Sequence, residues 1–370
     1  MNGVDKHRVK ASDFKFLEGV APSQFLAPLL GLSHAVADGA SGFLLGGLHS
    51  DHSISEIVWI VLLYNVFAFA LQPVFGILAD RIWGIRFASV FGLALVLLSL
   101  IVVDSHVIIA VILAGVGSGS FHVGAGALAV LSAEGKASSA GVFAAPGVLG
   151  LALGGLCALQ GIEISWVLMG LLGALAMMVL GIPYPRLARQ QRAARSEKLE
   201  THDLVMMALL LGISLKSAVW TSYQYMLQGD PNVVLAMAIA AFVGKSCGGF
   251  LADRFGWRRY GTLALLFSIP FLLIGREYFP SFLFGLGVLQ SAIPVTIAGM
   301  ICLLPQKPAT AAGISLGFGL AVGGALPMLG LGSLILTPLG IVICGTVAAM
   351  GFAFGLQEKH LVRRTLKSTI

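Results

Sequence analysis

Charge is scarce in this sequence. Asp, Glu, Lys and Arg make up 11% of its 370 residues, against roughly 25% in an average soluble domain, while 57% are hydrophobic and the mean hydropathy is +0.93. No soluble fold can bury that much apolar surface. Cysteine is scarce as well. The four present, Cys157, Cys247, Cys302 and Cys344, all fall inside apolar runs, which argues against a disulfide framework and for small buried apolar side chains. No metal-ligand cluster, nucleophile constellation or sizeable soluble segment is legible, so an enzyme is not expected and no cofactor is implied. The first 24 residues are polar and carry Lys6, Arg8, Lys10 and Lys15 without a short apolar core and cleavage site, so they read as a cytoplasmic tail and not a signal peptide.

Long apolar runs and glycine are what the sequence has. A membrane-crossing helix needs about 20 mostly apolar residues. By that ruler, spans fall near 25–46, 56–79, 86–103, 107–131, 139–161 and 164–183, then near 204–227, 231–252, 259–276, 279–304, 309–331 and 334–357. The 47 glycines suit helices that pack backbone to backbone in lipid, where the driving force between apolar surfaces is weak. The organisation expected is a tail (1–24), a six-helix bundle (25–183), a basic linker (184–203), a second six-helix bundle (204–357) and a C-terminal tail (358–370). In the linker, Arg186, Arg189, Arg192 and Arg195 recur every third residue. That spacing suits a short helix on an anionic membrane surface or a plain solvated connection.

Basic residues give the orientation. With both termini inside, cytoplasmic segments hold 20 of the 23 lysines and arginines, leaving Arg276 opposite and Lys216 and Lys245 within spans. This is the positive-inside asymmetry of a multi-pass inner-membrane protein with cytoplasmic termini. The net charge of +6 therefore needs no nucleic-acid partner.

An internal repeat follows the same division. Gly76-Ile-Leu-Ala-Asp80-Arg81 lies between the second and third spans, and Gly249-Phe-Leu-Ala-Asp253-Arg254 lies between the eighth and ninth, 173 residues on (253 minus 80). Repeated bundles with a site between them near the midplane are a mark of secondary transporters. A glycine permits close helix approach, and a carboxylate at the helix end can latch a neighbouring helix terminus in one conformational state. The duplicated loop resembles the signature loop of the major facilitator superfamily over residues 25–357. That resemblance implies an all-α polytopic fold of twelve helices in two pseudo-symmetric bundles, with Gly76, Asp80, Arg81, Gly249, Asp253 and Arg254 in gating roles. Three stretches of the first bundle, Ser33-His34-Ala-Val-Ala-Asp38, Leu71-Gln72-Pro73-Val74-Phe75-Gly76 and Gly117-Ser118-Gly-Ser-Phe121-His122, are similar to the fosmidomycin resistance family of efflux proteins. That likeness implies proton-driven export of a small phosphonate or related drug. After His122 the chain departs from the family, with Val123-Gly124 in place of a proline and a glutamate.

Ionisable groups in the bilayer core cost several kcal/mol unless they meet a partner or water, so each is a functional candidate. His34 and Asp38 lie four apart, on one face of the first span, and Asp38 is the one carboxylate placed deep in a span. His34 and His122 titrate near physiological pH when unperturbed, which makes them proton carriers or hydrogen-bonded helix contacts. Lys216, Trp220, Tyr223 and Gln224 share a face of the seventh span, as a ligand cavity or as packing aromatics. Lys245 reads as a gate residue or a substrate ligand. Asn65 and Gln290 could bind substrate or join helices. Two lysines and two histidines against one acid favour a small organic anion, with Asp38 and Lys216 at similar depth as a pair across the cavity. The expected function is proton-coupled export of such an anion or drug, the alternatives being an importer or facilitator of an anionic metabolite, or a lipid translocator. Protons, membrane lipids and a small-molecule substrate are the expected partners, and a monomer the expected state.

Overall fold

A computed structural model describes residues 17–18, 25–50, 52–182, 186–187 and 200–357. The remainder of both tails and of the linker, including Arg189, Arg192 and Arg195, lies outside the described residues. Among the described residues, twelve helices run through the two halves. In the first they are α1 (Leu26–Gly47), α2 (Ser55–Ala70 with Gln72–Trp83), α3 (Ile85–Val102), α4 (Val107–Ser132), α5 (Ala137–Leu159) and α6 (Ser165–Gly181). The second half holds α7 (Glu200–Leu227), α8 (Pro231–Phe255), α9 (Trp257–Ile274), α10 (Phe279–Leu303), α11 (Pro308–Ile335) and α12 (Pro338–Gly355). Each span read from the sequence falls on one of these helices, with ends that move: α2 runs to Trp83, α11 to Ile335, α12 begins at Pro338 and α7 at Glu200, so the linker is shorter than 184–203. At its start Arg186–Leu187 (β2) pairs antiparallel with Leu17–Glu18 (β1), the one extended bridge among the described residues, so Arg186 is not part of a surface helix.

Local breaks follow the prolines and glycines. α2 bends by 42° where Leu71 N–H reaches back five residues to Val66 O and Pro73 follows, because proline removes a donor and crowds the preceding turn. Close approach is set by small residues. Along α1 and α5, Gly31 faces the Val142 carbonyl and Gly39 faces Gly150, so the backbones touch where a side chain on either would hold them apart.

The seams between the bundles include α2 against α11 and α5 against α8, with α4 against α11 and α5 against α10 beside them. The first two are equivalent under the internal repeat. Both run through the ends that carry the repeated loops, and a Cβ on Gly76 would meet Ala309 O at 2.5 Å, while one on Gly249 would meet Ala137 O at 2.5 Å. Elsewhere Cys302 and Cys344 are buried as expected, but Cys247 is exposed. It faces outward into a crevice of about 1090 Å³ between α8, α9 and α10, because a span of a bundle also has a lipid-facing side that apolar character alone does not distinguish.

Candidate functional site

The repeated loops form a pair of crossed latches. Asp80, at the end of α2, accepts hydrogen bonds from Ala309 N (3.1 Å), Thr310 N (2.8 Å) and Thr310 Oγ1 (2.7 Å) at the start of α11. Asp253, at the end of α8, accepts from Ala137 N (3.0 Å) and Ser138 N (2.9 Å) at the start of α5, and from Trp257 Nε1 (2.8 Å). Each carboxylate therefore caps a helix of the opposite bundle, satisfying orphan N–H groups and meeting the positive end of the helix. The two partner helix starts are separated by the repeat offset to within one residue. Arg81 and Arg254 are exposed and make no bond across the bundles among the described residues, with Arg254 lying over the Phe255 ring at 5.7 Å. The arginines one turn further on have a different task. Arg86 donates to Val179 O in the last turn of α6 (3.1 Å), and Arg258 donates to Ala353 O in the last turn of α12 (2.8 Å), the cation placement that helix C-termini favour.

About 12 residues, or roughly 18 Å, along α1 from that face, three polar side chains converge. His34 Nε2 lies 3.0 Å from Asp38 Oδ2, and His122 Nε2, from α4, lies 3.8 Å from Asp38 Oδ1. The outer nitrogens are anchored: His34 Nδ1 donates to Phe143 O (2.8 Å) and His122 Nδ1 donates to Ser118 O (2.7 Å). A carbonyl only accepts, so both Nδ1 atoms carry hydrogen and both Nε2 atoms face the carboxylate. At 3.0 Å, His34 Nε2 and Asp38 Oδ2 need a proton between them, since two lone pairs would repel at that distance. The cluster thus holds at least one proton and has room for a second on His122. Aromatic rings enclose it, with Phe143 stacked on His34 at 4.7 Å and Phe69 near His122 at 6.4 Å. Tyr64 stands close to Asp38, Ser118 and Ser41. Gly147 completes the wall, because a Cβ there would collide with the His34 ring. The absence of a side chain at position 147 is thereby a requirement of the histidine.

The second bundle contributes cations. Lys245 on α8 donates to Ala144 O at 3.5 Å and is near enough to Asp38 for their charges to interact. Lys216 is 2% exposed and donates to Gln290 Oε1 at 3.3 Å, with Lys245 its charged neighbour. This corrects the expected Asp38–Lys216 pair. The carboxylate engages the two histidines, and the lysine nearest it is Lys245, because α8 and not α7 is the helix packed on α5. Tyr223 packs edge-on against Phe282 at 4.8 Å inside its own bundle, and Trp220 is buried beside it. Gln224 and Asn65 are half-buried, and neither joins the cluster. The residues that sequence reasoning missed are the capped helix starts, Ala137-Ser138 and Lys307-Pro308-Ala309-Thr310. Their signal was a short polar residue or a first-turn proline at the start of α5 and of α11.

No family model matches the chain, and no curated protein matches it by sequence. Solved structures do. FucP, a major facilitator superfamily transporter in the outward conformation, aligns at TM-score 0.65 and 14% identity over 96% of this chain and 99% of that one. A variant of the E. coli fucose:proton symporter FucP aligns at TM-score 0.62 and 14% identity, covering 92% and 98%. The human organic anion transporter MFSD10 (TETRAN) aligns at TM-score 0.65 and 16% identity, covering 91% and 100%. The chain is a multi-pass helical membrane protein with the fold of the major facilitator superfamily transporters.

Proposed function

We propose that this protein is a secondary transporter that moves a small organic anion by alternating access, coupled to protons. The observation that carries this reading is the crossed latch: Asp80 and Asp253 close one face of the molecule through bonds between bundles that a rocking motion would break together. Likeness to a structure in the outward conformation supports the same state here. The latched face, rich in lysine and arginine, is assigned to the cytoplasm, both termini with it, in a bacterial inner membrane. The protein works as a monomer.

In this reading His34, Asp38 and His122 take the coupling proton, and Lys245, Lys216 and Gln290 receive the anion, with Trp220, Tyr223, Gln224 and Asn65 shaping the cavity. Likeness in fold to an organic anion transporter supports the anion. Coupling arises because Asp38 and the anion compete for Lys245. A proton on the cluster weakens the carboxylate's hold and frees the ammonium, so proton and anion bind together and an inward proton gradient drives uptake. The kinship in fold with a fucose:proton symporter supports that sign. The opposite sign, export of a phosphonate-like drug, is supported by the resemblance of the α1, α2 and α4 stretches to efflux proteins. A growth screen of an overexpressing strain against phosphonates and other small toxic anions tests both: uptake sensitises, export protects, and Asp38→Asn removes either effect. A strain indifferent to every anion, or an Asp38→Asn strain like wild type, would sink the proposal.

A further inference from the structure

We propose that the His34–Asp38–His122 cluster is also a binding site for a first-row divalent transition ion of the zinc type, and that such an ion excludes the coupling proton. The inference shares its residues with the proton reading but not its test. The three donor atoms all lie within 4.8 Å of one another, with Asp38 at 3.0 Å from one imidazole nitrogen and 3.8 Å from the other. In a tetrahedral centre with bonds of about 2.0–2.1 Å, donors stand about 3.3 Å apart, so small side-chain rotations suffice. Both imidazoles already have the outer nitrogen bonded to a backbone carbonyl, through Phe143 O and Ser118 O. That is the supporting arrangement that orients histidine ligands and fixes the tautomer a metal requires.

Two imidazoles and one carboxylate select zinc, cobalt, nickel or copper over magnesium and calcium, which prefer all-oxygen sites. The histidines are almost fully buried and the Asp38 side chain is 14% exposed, so the carboxylate is the ligand that a solvated ion would meet first. Around the site, Tyr64 faces Asp38 from α2 and Lys245 faces it from α8. Lys245 opposes a dication, so its charge sets how weakly the ion is held. Loading the ion consumes the lone pairs on which a proton would sit, which makes metal and proton mutually exclusive.

The test uses the purified full-length protein in detergent, titrated with Zn2+ by calorimetry and with Co2+ by visible absorption. Wild type is expected to take up one ion with the intense bands of a four-coordinate cobalt centre. Asp38→Asn and His122→Gln should each weaken binding by about 100-fold or more, with thermal melting showing that both stay folded. Lys245→Gln should tighten it. A variant with the other six histidines changed to Gln should bind as wild type does. Absence of binding to wild type, equal binding by His122→Gln and wild type, or loss of binding in the six-histidine variant would each overturn the site. Proton-coupled transport measured on the same preparations without metal stands or falls separately.

Discussion

Replacing Asp80 by Asn keeps the side-chain shape but removes its charge and leaves one acceptor oxygen where two now serve Ala309 N, Thr310 N and Thr310 Oγ1. At least one charge-assisted hydrogen bond is lost, about 1.5–3 kcal/mol, together with the attraction to the start of α11, about 0.3–1 kcal/mol. Asp80 is only half-buried, so the lower end applies, about 2 kcal/mol. At 1.4 kcal/mol per factor of ten, that shifts the balance between latched and unlatched states by roughly 30-fold. Asp253→Asn removes an equivalent contact, and the two changes act on one equilibrium, so the double variant should shift it by roughly 1000-fold. Electron–electron distances between spin labels at Ala133 and Gln306 on the latched face, and at Gln160 and Glu277 on the opposite face, report the outcome. The first distance should widen and the second shorten, modestly in either single variant and almost completely in the double. Unchanged distance distributions in the double variant would refute the latch.

Gly147→Ala should push the His34 ring out of line with Asp38 and reduce proton coupling as strongly as His34→Gln does, while an alanine at Gly170, where a Cβ meets nothing within 4 Å, should be silent; transport in proteoliposomes compares them. Lys216→Gln should weaken anion binding by tenfold or more yet leave a neutral analogue unaffected, because a charge-assisted bond is the one lost; equal losses in calorimetry would make Lys216 structural. For topology, single cysteines at Gln306 and Gln160 in a cysteine-free background should react with an impermeant reagent from the cytoplasmic and the external side respectively, and the reverse pattern would invert the assignment.

Much of the fold was legible because a membrane imposes a length and a polarity on every span, and the repeat of Gly-x-x-x-Asp-Arg marked the two latches. His34, Asp38 and His122 stood out because ionisable side chains are rare in apolar helices. Which groups they meet was not legible. Periodicity tells which residues share a face of one helix, but not which helix lies opposite, so Asp38 was paired with Lys216 on depth alone, while the α5–α8 seam brings Lys245 instead. For the same reason the face that Tyr223 shares with Lys216 was legible, but not that α10 supplies Phe282 against its ring. The latch donors were hidden because most are backbone N–H groups, which carry no sequence signal beyond the start of a helix.

If Asp38 couples proton movement to anion movement, internal pH in proteoliposomes given an anion that the growth screen identifies must report it. With no initial pH gradient, adding that anion outside wild-type vesicles should change the internal pH as protons move with it, and the sign gives the direction of coupling: acidification for cotransport, alkalinisation for exchange. Asp38→Asn should still bind the anion, with less dependence on pH, and should produce no pH change. An Asp38→Asn protein that moves protons with the anion as wild type does would contradict the account.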